Sequence, residues 1–506
     1  MKRQWSLGLM SMFVGRLVLY AGVVLVSNVF GRSAQAADET DAAILALRKQ
    51  ISLQQKLIEA QQRQLSTQKK TLDRLETKID RGTRVAKPSS EVSGSESART
   101  QAKTSSSAGY SEKSPNVKAD PKGTVIFNNP DFSLTLGGNL KVVAYASPVR
   151  PYVAGAPFFL FPKDVTGKEN VFRLSGQYSS FNAAITGPMV GDFQSGALLA
   201  AVLTGGNLVS DNYGVTPVNA FAYLRNKHWS FSAGLQEDVF SPRMPDMIDT
   251  ISALAFSGNP GNSNRAQLRV EHYVDLEEAG KITFATALTE PISTTLSSDL
   301  MTRTESNGIP STEGRVSWAF GPPDANTLLK RPNFEVGISG VYGQYRTFTG
   351  GLGSGAPLKY LKTPVWGVAF DLGLRIGDRF GLQGEIYTGQ ALGNYMGTIG
   401  QAANNISGQA LRSRGGWIEA TWFWAQQVRS SVGYGVDDIS NQAGLQIGQI
   451  SRNHTMFANI KWDVTQWWRL GLEGTYRWTD YVGPIPNNIA PNNSGPGVMA
   501  STEFRF

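Results

Sequence analysis

From Phe132 onward, apolar and polar positions trade places one for one. Phe132, Leu134, Leu136, Leu140, Val142, Ala144 and Ala146 alternate with Ser133, Thr135, Asn139, Lys141 and Tyr145. Such a period of two predicts a long strand with one apolar and one polar face. Further strands of this kind are expected near 171–187, 195–204, 217–226, 229–236, 265–275, 280–290 and 313–320. The rest fall near 333–345, 363–376, 380–390, 414–426, 428–436, 453–464, 467–478 and 497–506, which makes sixteen in all. Their connections alternate in length. Asn226–His228, Gly377–Arg379, Gln427 and Thr465–Gln466 are tight turns, while 147–170, 237–264, 391–412 and 479–496 are long loops. Short turns at one end and long loops at the other are the pattern of an outer-membrane barrel. The expected fold is therefore an all-β transmembrane barrel of about sixteen antiparallel strands.

Charge supports the same registers. Lys141, Arg173, Arg225, Arg269, Lys281, Arg315, Arg375, Arg429, Lys461, Arg469, Arg477 and Arg505 fall on the polar face, with Glu271, Glu335, Asp371, Glu385, Glu419, Glu473 and Glu503. A charge turned to mid-bilayer lipid would cost about 2–4 kcal/mol. Trp229, Trp366, Trp422, Trp424, Trp462, Trp468 and Trp478 stand mostly near strand ends on the apolar face, as an interfacial aromatic girdle requires. The last strand ends on Phe504 and Phe506, a pattern similar to the terminal signal that barrel-assembly machinery reads in bacterial outer-membrane proteins.

Before the strands the period changes. Ile44, Ile51, Ile58, Leu65, Leu72 and Ile79 recur every seven residues, with Leu47, Gln54, Gln61, Gln68 and Leu75 at the matching second position. That seam predicts a coiled coil within 37–80, a helical element preceding the barrel, whose strand number the pattern leaves open. Residues 81–123 are rich in Ser, Lys, Glu and Ala with few large apolar side chains, and are expected to form a flexible linker. Lys2 and Arg3, an apolar stretch densest over Leu17–Phe30, and Ala34-Gln35-Ala36 predict a secretory signal over 1–36.

The net charge of +8 changes meaning once the chain is divided. Residues 124–506 hold 28 basic and 29 acidic residues, so the barrel region offers no nucleic-acid footprint. No cysteine and only three histidines argue against thiol chemistry, a thiolate metal site or an imidazole-rich one, and no cofactor is expected. His272 and His454 have no obvious serine partner for a membrane-surface hydrolase, and the run Gly351–Gly355 lacks the strand-to-helix setting of a phosphate cradle.

The order of signal segment, coiled coil, linker and barrel resembles the DcaP-like trimeric porins. Asn264-Arg265-Ala266-Gln267-Leu268-Arg269 is the clearest stretch, joined by Val218–Tyr223, Ala233–Gln236 and Pro245-Asp246; early in the second strand only Arg173 stands where the family often repeats Arg. The resemblance implies three barrels side by side in the outer membrane, a periplasmic coil, and passage of small organic anions such as dicarboxylates. By analogy with sixteen-stranded porins, loop 237–264 is the expected constriction, supplying Glu237, Asp238, Arg243, Asp246 and Asp249. Arg173, Arg225, Arg265 and Arg269 on nearby strands would face it and set a field for solutes, or else pair with acids to stiffen the wall. A second function class remains, a structural tether in which coil and linker hold the barrel to the envelope.

Overall fold

A computed structural model describes residues 124–506, apart from 130, 153–155, 164–169, 205–213, 262, 291–303, 307, 324–331, 350–358, 405–408, 484 and 486–488. The signal segment, the coiled coil with its heptad residues from Ile44 to Ile79, and the linker lie outside the described residues.

All strands belong to one antiparallel sheet. They are β1 (Thr124–Asn129), β2 (Phe132–Ser147), β3 (Val171–Ser175), β4 (Ser180–Val190), β5 (Phe193–Val202) and β6 (Thr216–Arg225). Next come β7 (Trp229–Glu237), β8 (Asn264–Asp275), β9 (Lys281–Thr289), β10 (Thr304–Ser306), β11 (Ser311–Pro323) and β12 (Pro332–Thr349). The chain finishes with β13 (Lys359–Ile376), β14 (Phe380–Gln390), β15 (Arg412–Phe423), β16 (Val428–Ile439), β17 (Ile450–Asp463), β18 (Trp468–Tyr481) and β19 (Asn492–Arg505). β3 and β4 both pair with β2 and are two pieces of one wall strand. β1 pairs with the first residues of β2, and β10 is a short addition beside β12. The remaining sixteen positions form a closed antiparallel barrel, as the alternation predicts.

Closure is made where β19 pairs with β2, from Val498 opposite Ala146 to Arg505 opposite Asn139. The last residue continues the ladder: Phe506 N–H donates to the Gly138 carbonyl at 3.1 Å and its carbonyl accepts from Gly138 N–H at 3.0 Å. Glycine is needed there because a Cβ at position 138 would strike the Ser180 carbonyl and the Phe506 ring.

The wall has a dry outer face. Leu140, Phe172, Leu199, Leu268, Ile338, Ile386, Ile418, Val432, Ile460, Leu472 and Phe504 all point outward and are exposed. An apolar belt of this extent would be untenable in water and marks a lipid-facing surface. Trp229, Trp422, Trp424, Trp462 and Trp468 of the expected girdle stand exposed at the short-turn end. Inward positions behave oppositely. Lys141, Glu335, Asp371, Glu385, Arg429, Lys461, Arg469, Glu473, Arg477 and Glu503 are buried, because loops from the far end fill part of the lumen.

The outer face departs from expectation at one place. Strands β13, β15 and β17 begin earlier than the apolar alternation suggests; the added residues carry Lys362, Arg412 and Arg452 outward, beside Arg414 at the start of the expected strand 414–426. The alternating stretch had delimited the apolar band rather than the hydrogen-bonded strand, which continues past it.

Candidate channel constriction

Residues 238–263 connect β7 to β8 and fold into the barrel. A loop buried in this way must satisfy its backbone groups without a sheet of its own. Four wall glutamates meet that need. Glu313 on β11 accepts from Val239 N–H at 2.6 Å and Phe240 N–H at 3.0 Å. Glu385 on β14 accepts from Arg243 N–H at 2.5 Å and Ser241 Oγ at 2.6 Å. Glu419 on β15 takes Asp246 N–H at 2.6 Å, and Glu473 on β18 takes Ile248 N–H at 2.6 Å and Asp249 N–H at 3.3 Å. The loop thus follows the wall from β11 round to β18, amide by amide.

Its side chains complete the attachment. Arg243 reaches Asp371 at 2.9 Å and Glu335 at 3.0 Å, and Arg315 binds the same two carboxylates at 2.7 and 2.9 Å. Asp246 lies 2.9 Å from Arg429 and 2.5 Å from Lys461. Burial alone would raise the Asp246 carboxyl, but Arg429 and Lys461 outweigh it and hold the group well below the usual carboxylate range. Asp249 accepts from Tyr178 at 3.2 Å and faces Arg477 at 3.6 Å, while Lys141 Nζ donates to the Ile248 carbonyl at 2.8 Å. Ser241, Ala253, Leu254 and Phe256 adopt positive φ, the backbone cost of bending the chain into this path.

The expected constriction residues divide into two groups. Arg243, Arg265, Asp249 and Glu237 are buried, and Asp246 is largely so. Arg265 is held by Asp238 at 2.5 Å, lies 3.9 Å from Glu313, and its guanidinium sits 3.7 Å from the Tyr395 ring centre. The Glu237 carbonyl accepts from Gln267 at 2.8 Å and from Arg269 Nη2. These groups fasten the loop. Arg173, Arg225 and Arg269 are different, since each is only partly buried; they lie on β3, β6 and β8, and of the three Arg269 also reaches the start of the loop through the Glu237 carbonyl. Arg173 donates to Gln177 at 2.9 Å, Arg225 stands 5.1 Å over the Tyr223 ring, and Arg269 is 3.6 Å from Glu271 with 14% of its side chain exposed.

Two further loops enter the lumen. Residues 391–411 bury Leu392, Tyr395, Ile399 and Leu411, and Phe256 N–H donates to the Met396 carbonyl at 3.0 Å. Phe158 and Phe159 from the loop after β2 pack on Phe256, at 5.0 and 6.3 Å between ring centres. The sequence held a signal for this: 391–411 contains no charged residue, an unusual composition for a loop in water. His272 packs against Trp229 with ring centres 4.2 Å apart, and His454 shares a 2.6 Å hydrogen bond with Tyr434, so both are placed among outward aromatics.

No protein-family profile and no curated protein matches the sequence. Among solved structures, the chain is similar to the outer membrane channel DcaP of Acinetobacter baumannii, with 14% identity and a TM-score of 0.57 over 75% of this chain and 99% of that one. An anion-selective porin from Comamonas acidovorans aligns at 14% identity and a TM-score of 0.47, over 74% and 100% of the two chains. The fold is that of a DcaP-like outer-membrane channel.

Proposed function

We propose that the protein is an outer-membrane porin, a water-filled channel for passive uptake of small hydrophilic solutes with a mild preference for organic anions such as dicarboxylates. One observation carries this reading. The acidic wall of β11–β18 spends its carboxylates on loop 238–263, while the partly exposed Arg173, Arg225 and Arg269 stand on the other wall. A solute passing between them meets paired charges on one side and guanidinium groups on the other. Guanidinium binds carboxylate in a fork, and partial exposure to water keeps that grip weak enough for release.

The same reading places the barrel in outer-membrane lipid with its short turns periplasmic, delivered by barrel-assembly machinery through Phe504 and Phe506. It makes the protein a homotrimer, with the periplasmic heptads of 44–79 helping to join the copies. The test is a planar-bilayer recording of the refolded full-length protein under a salt gradient. Threefold conductance steps with an anion-selective reversal potential are expected. A folded protein that conducts nothing would overturn the channel reading.

A further inference from the structure

Outside the lumen, one cluster of charge stands where a lipid-facing wall should have none. Lys362 on β13, Arg412 and Arg414 on β15, and Arg452 on β17 are all exposed. By the two-residue alternation they share the outward face with Trp366, Ile418 and Met456. All four lie toward the long-loop end. Among the described residues, no outward Lys or Arg occupies that end of β2–β8.

The cluster has internal order. In the ladder Arg414 stands opposite Asp438 of β16, Asp438 opposite Arg452, and Arg452 opposite Asp480 of β18. Asp438 lies 2.9 Å from Arg452 Nε and 3.4 Å from Arg414 Nε. One carboxylate therefore draws two guanidinium groups together across three strands, through the Nε of each. Arg412 Nε donates to Gln390 at 3.0 Å, a neutral partner. With Arg346 opposite Lys362 and Glu305 opposite Arg346 in the ladder, five cations and three carboxylates still leave a local excess of positive charge. An ion ladder built only for mutual compensation would have matched them.

Height identifies the occupant. Two to four residues nearer mid-wall on the same face come Tyr434, His454, Tyr476 and Trp478, linked by the 2.6 Å Tyr434–His454 hydrogen bond and a 4.5 Å Tyr476–Trp478 ring contact. Such aromatics mark a membrane–water interface. From Arg452 to Trp462 on β17 is ten residues, or about 25 Å of membrane normal at ordinary strand rise and tilt, the height of an outer-membrane apolar band. The cations thus stand at headgroup level, and on the reading above that level belongs to the outer leaflet.

We propose that Lys362, Arg412, Arg414 and Arg452 form a binding surface for the phosphate groups of outer-leaflet glycolipids. Guanidinium forks match phosphate oxygens in bidentate contact, while the aromatic row beneath receives the acyl chains. The proposal rests on the outer-membrane assignment but not on conduction.

Native mass spectrometry of detergent-solubilised full-length protein tests it, with a bis-phosphorylated diglucosamine lipid as probe and its dephosphorylated form as control. The wild type should retain the phosphorylated lipid selectively. Arg414→Gln/Arg452→Gln should weaken retention by about thirtyfold and Lys362→Gln alone by about fivefold, as expected for cations at a charged lipid surface. Bilayer conductance should not change, which separates failure here from failure of the channel reading. Equal retention by the double variant, or of the dephosphorylated lipid, would overturn the proposal. So would full displacement by inorganic phosphate, which would make the surface a site for the free ion. Should the double variant not fold, Lys362→Gln decides.

Discussion

The two halves of the barrel wall are built for different work. Along β11–β18 the inner face is a strip of carboxylates and cations committed to loop 238–263. The outer face of the same half carries Trp318, Trp366, Trp422, Trp462, Trp468 and Trp478. Along β2–β6 the inner face holds the partly exposed Arg173 and Arg225, and the outer face of these strands has no Trp or Tyr among the described residues. One half supplies most of the loop's wall contacts and an aromatic outer face, whereas the other, on the proposed function, is the side that meets the solute. A barrel can combine a rigid gate with a wet path because alternate residues serve different faces, and its opposite sides need not share a task.

The strongest way to break this comparison is to cut the loop from its wall. Arg243 is 2% exposed and bridges Asp371 and Glu335. Truncating one partner of such a buried network costs about 3–5 kcal/mol, because the remaining charges lose their compensation. Arg243→Ala is expected to raise hydrogen exchange across 238–263 and to make single-channel current noisy. Unchanged protection would mean that the loop is held by something other than these wall charges.

A smaller effect separates inside from outside. Leu472 and Leu199 point outward at 52% and 53% exposure on opposite halves. Leu472→Arg sets a charge against lipid and should lower unfolding stability in vesicles by about 2–4 kcal/mol. If the plain wall of β2–β6 meets other copies in the trimer, Leu199→Arg should instead reduce the trimer fraction on a sizing column. Equal loss of barrel stability from both, with trimers intact, would remove that distinction.

Acid probes one contact of the loop. The folded-state carboxyl of Asp246 is depressed, so its contribution is complete above the ordinary aspartate value of about 3.9 and is lost only as pH falls through the lower folded value. The part of the current noise that Asp246 controls, taken as the difference between wild type and Asp246→Asn, should therefore stay flat from neutral pH down to about 4 and shrink below that. Asp246→Asn removes a charge-assisted attachment worth about 1.5–3 kcal/mol, and should bring the low-pH noise to neutral pH. Noise that grows between pH 7 and 5 in the wild type would point to a different titrating group.

The barrel was legible because lipid enforces period two: each expected strand overlaps an observed one, from 132–146 to 497–506. The lumen was legible only as a face. Arg265 and Arg269 are four residues apart on one strand and point the same way, so no local pattern distinguishes them. What does is Tyr395, which comes from a loop 130 residues later and covers Arg265 but not Arg269. Depth within a lumen is set by such distant insertions. Glu385 and Glu473 were likewise legible as inward acids, but not as acceptors for loop amides, since their partners are backbone groups with no sequence signature.

That distinction supplies the finest test of the two halves. Arg269 has 14% of its side chain exposed, a Glu271 carboxylate 3.6 Å away and a bond to the Glu237 carbonyl, so its charge is partly offset by its neighbours while still reaching the lumen. A charge offset in this way should change the anion-to-cation permeability ratio by about fivefold, or about 1 kcal/mol. Arg269→Ala should move the reversal potential toward zero by that amount, with only a small loss of barrel stability from the bond to the Glu237 carbonyl. Arg265→Ala should do the reverse. Its charge is fully buried against Asp238, so its loss should loosen the loop and destabilise the protein while shifting selectivity little at first opening. Comparable shifts in reversal potential from both variants would show that solutes feel the field of the whole wall, and the division between a gate half and a path half would then fail for charge even where it holds for structure.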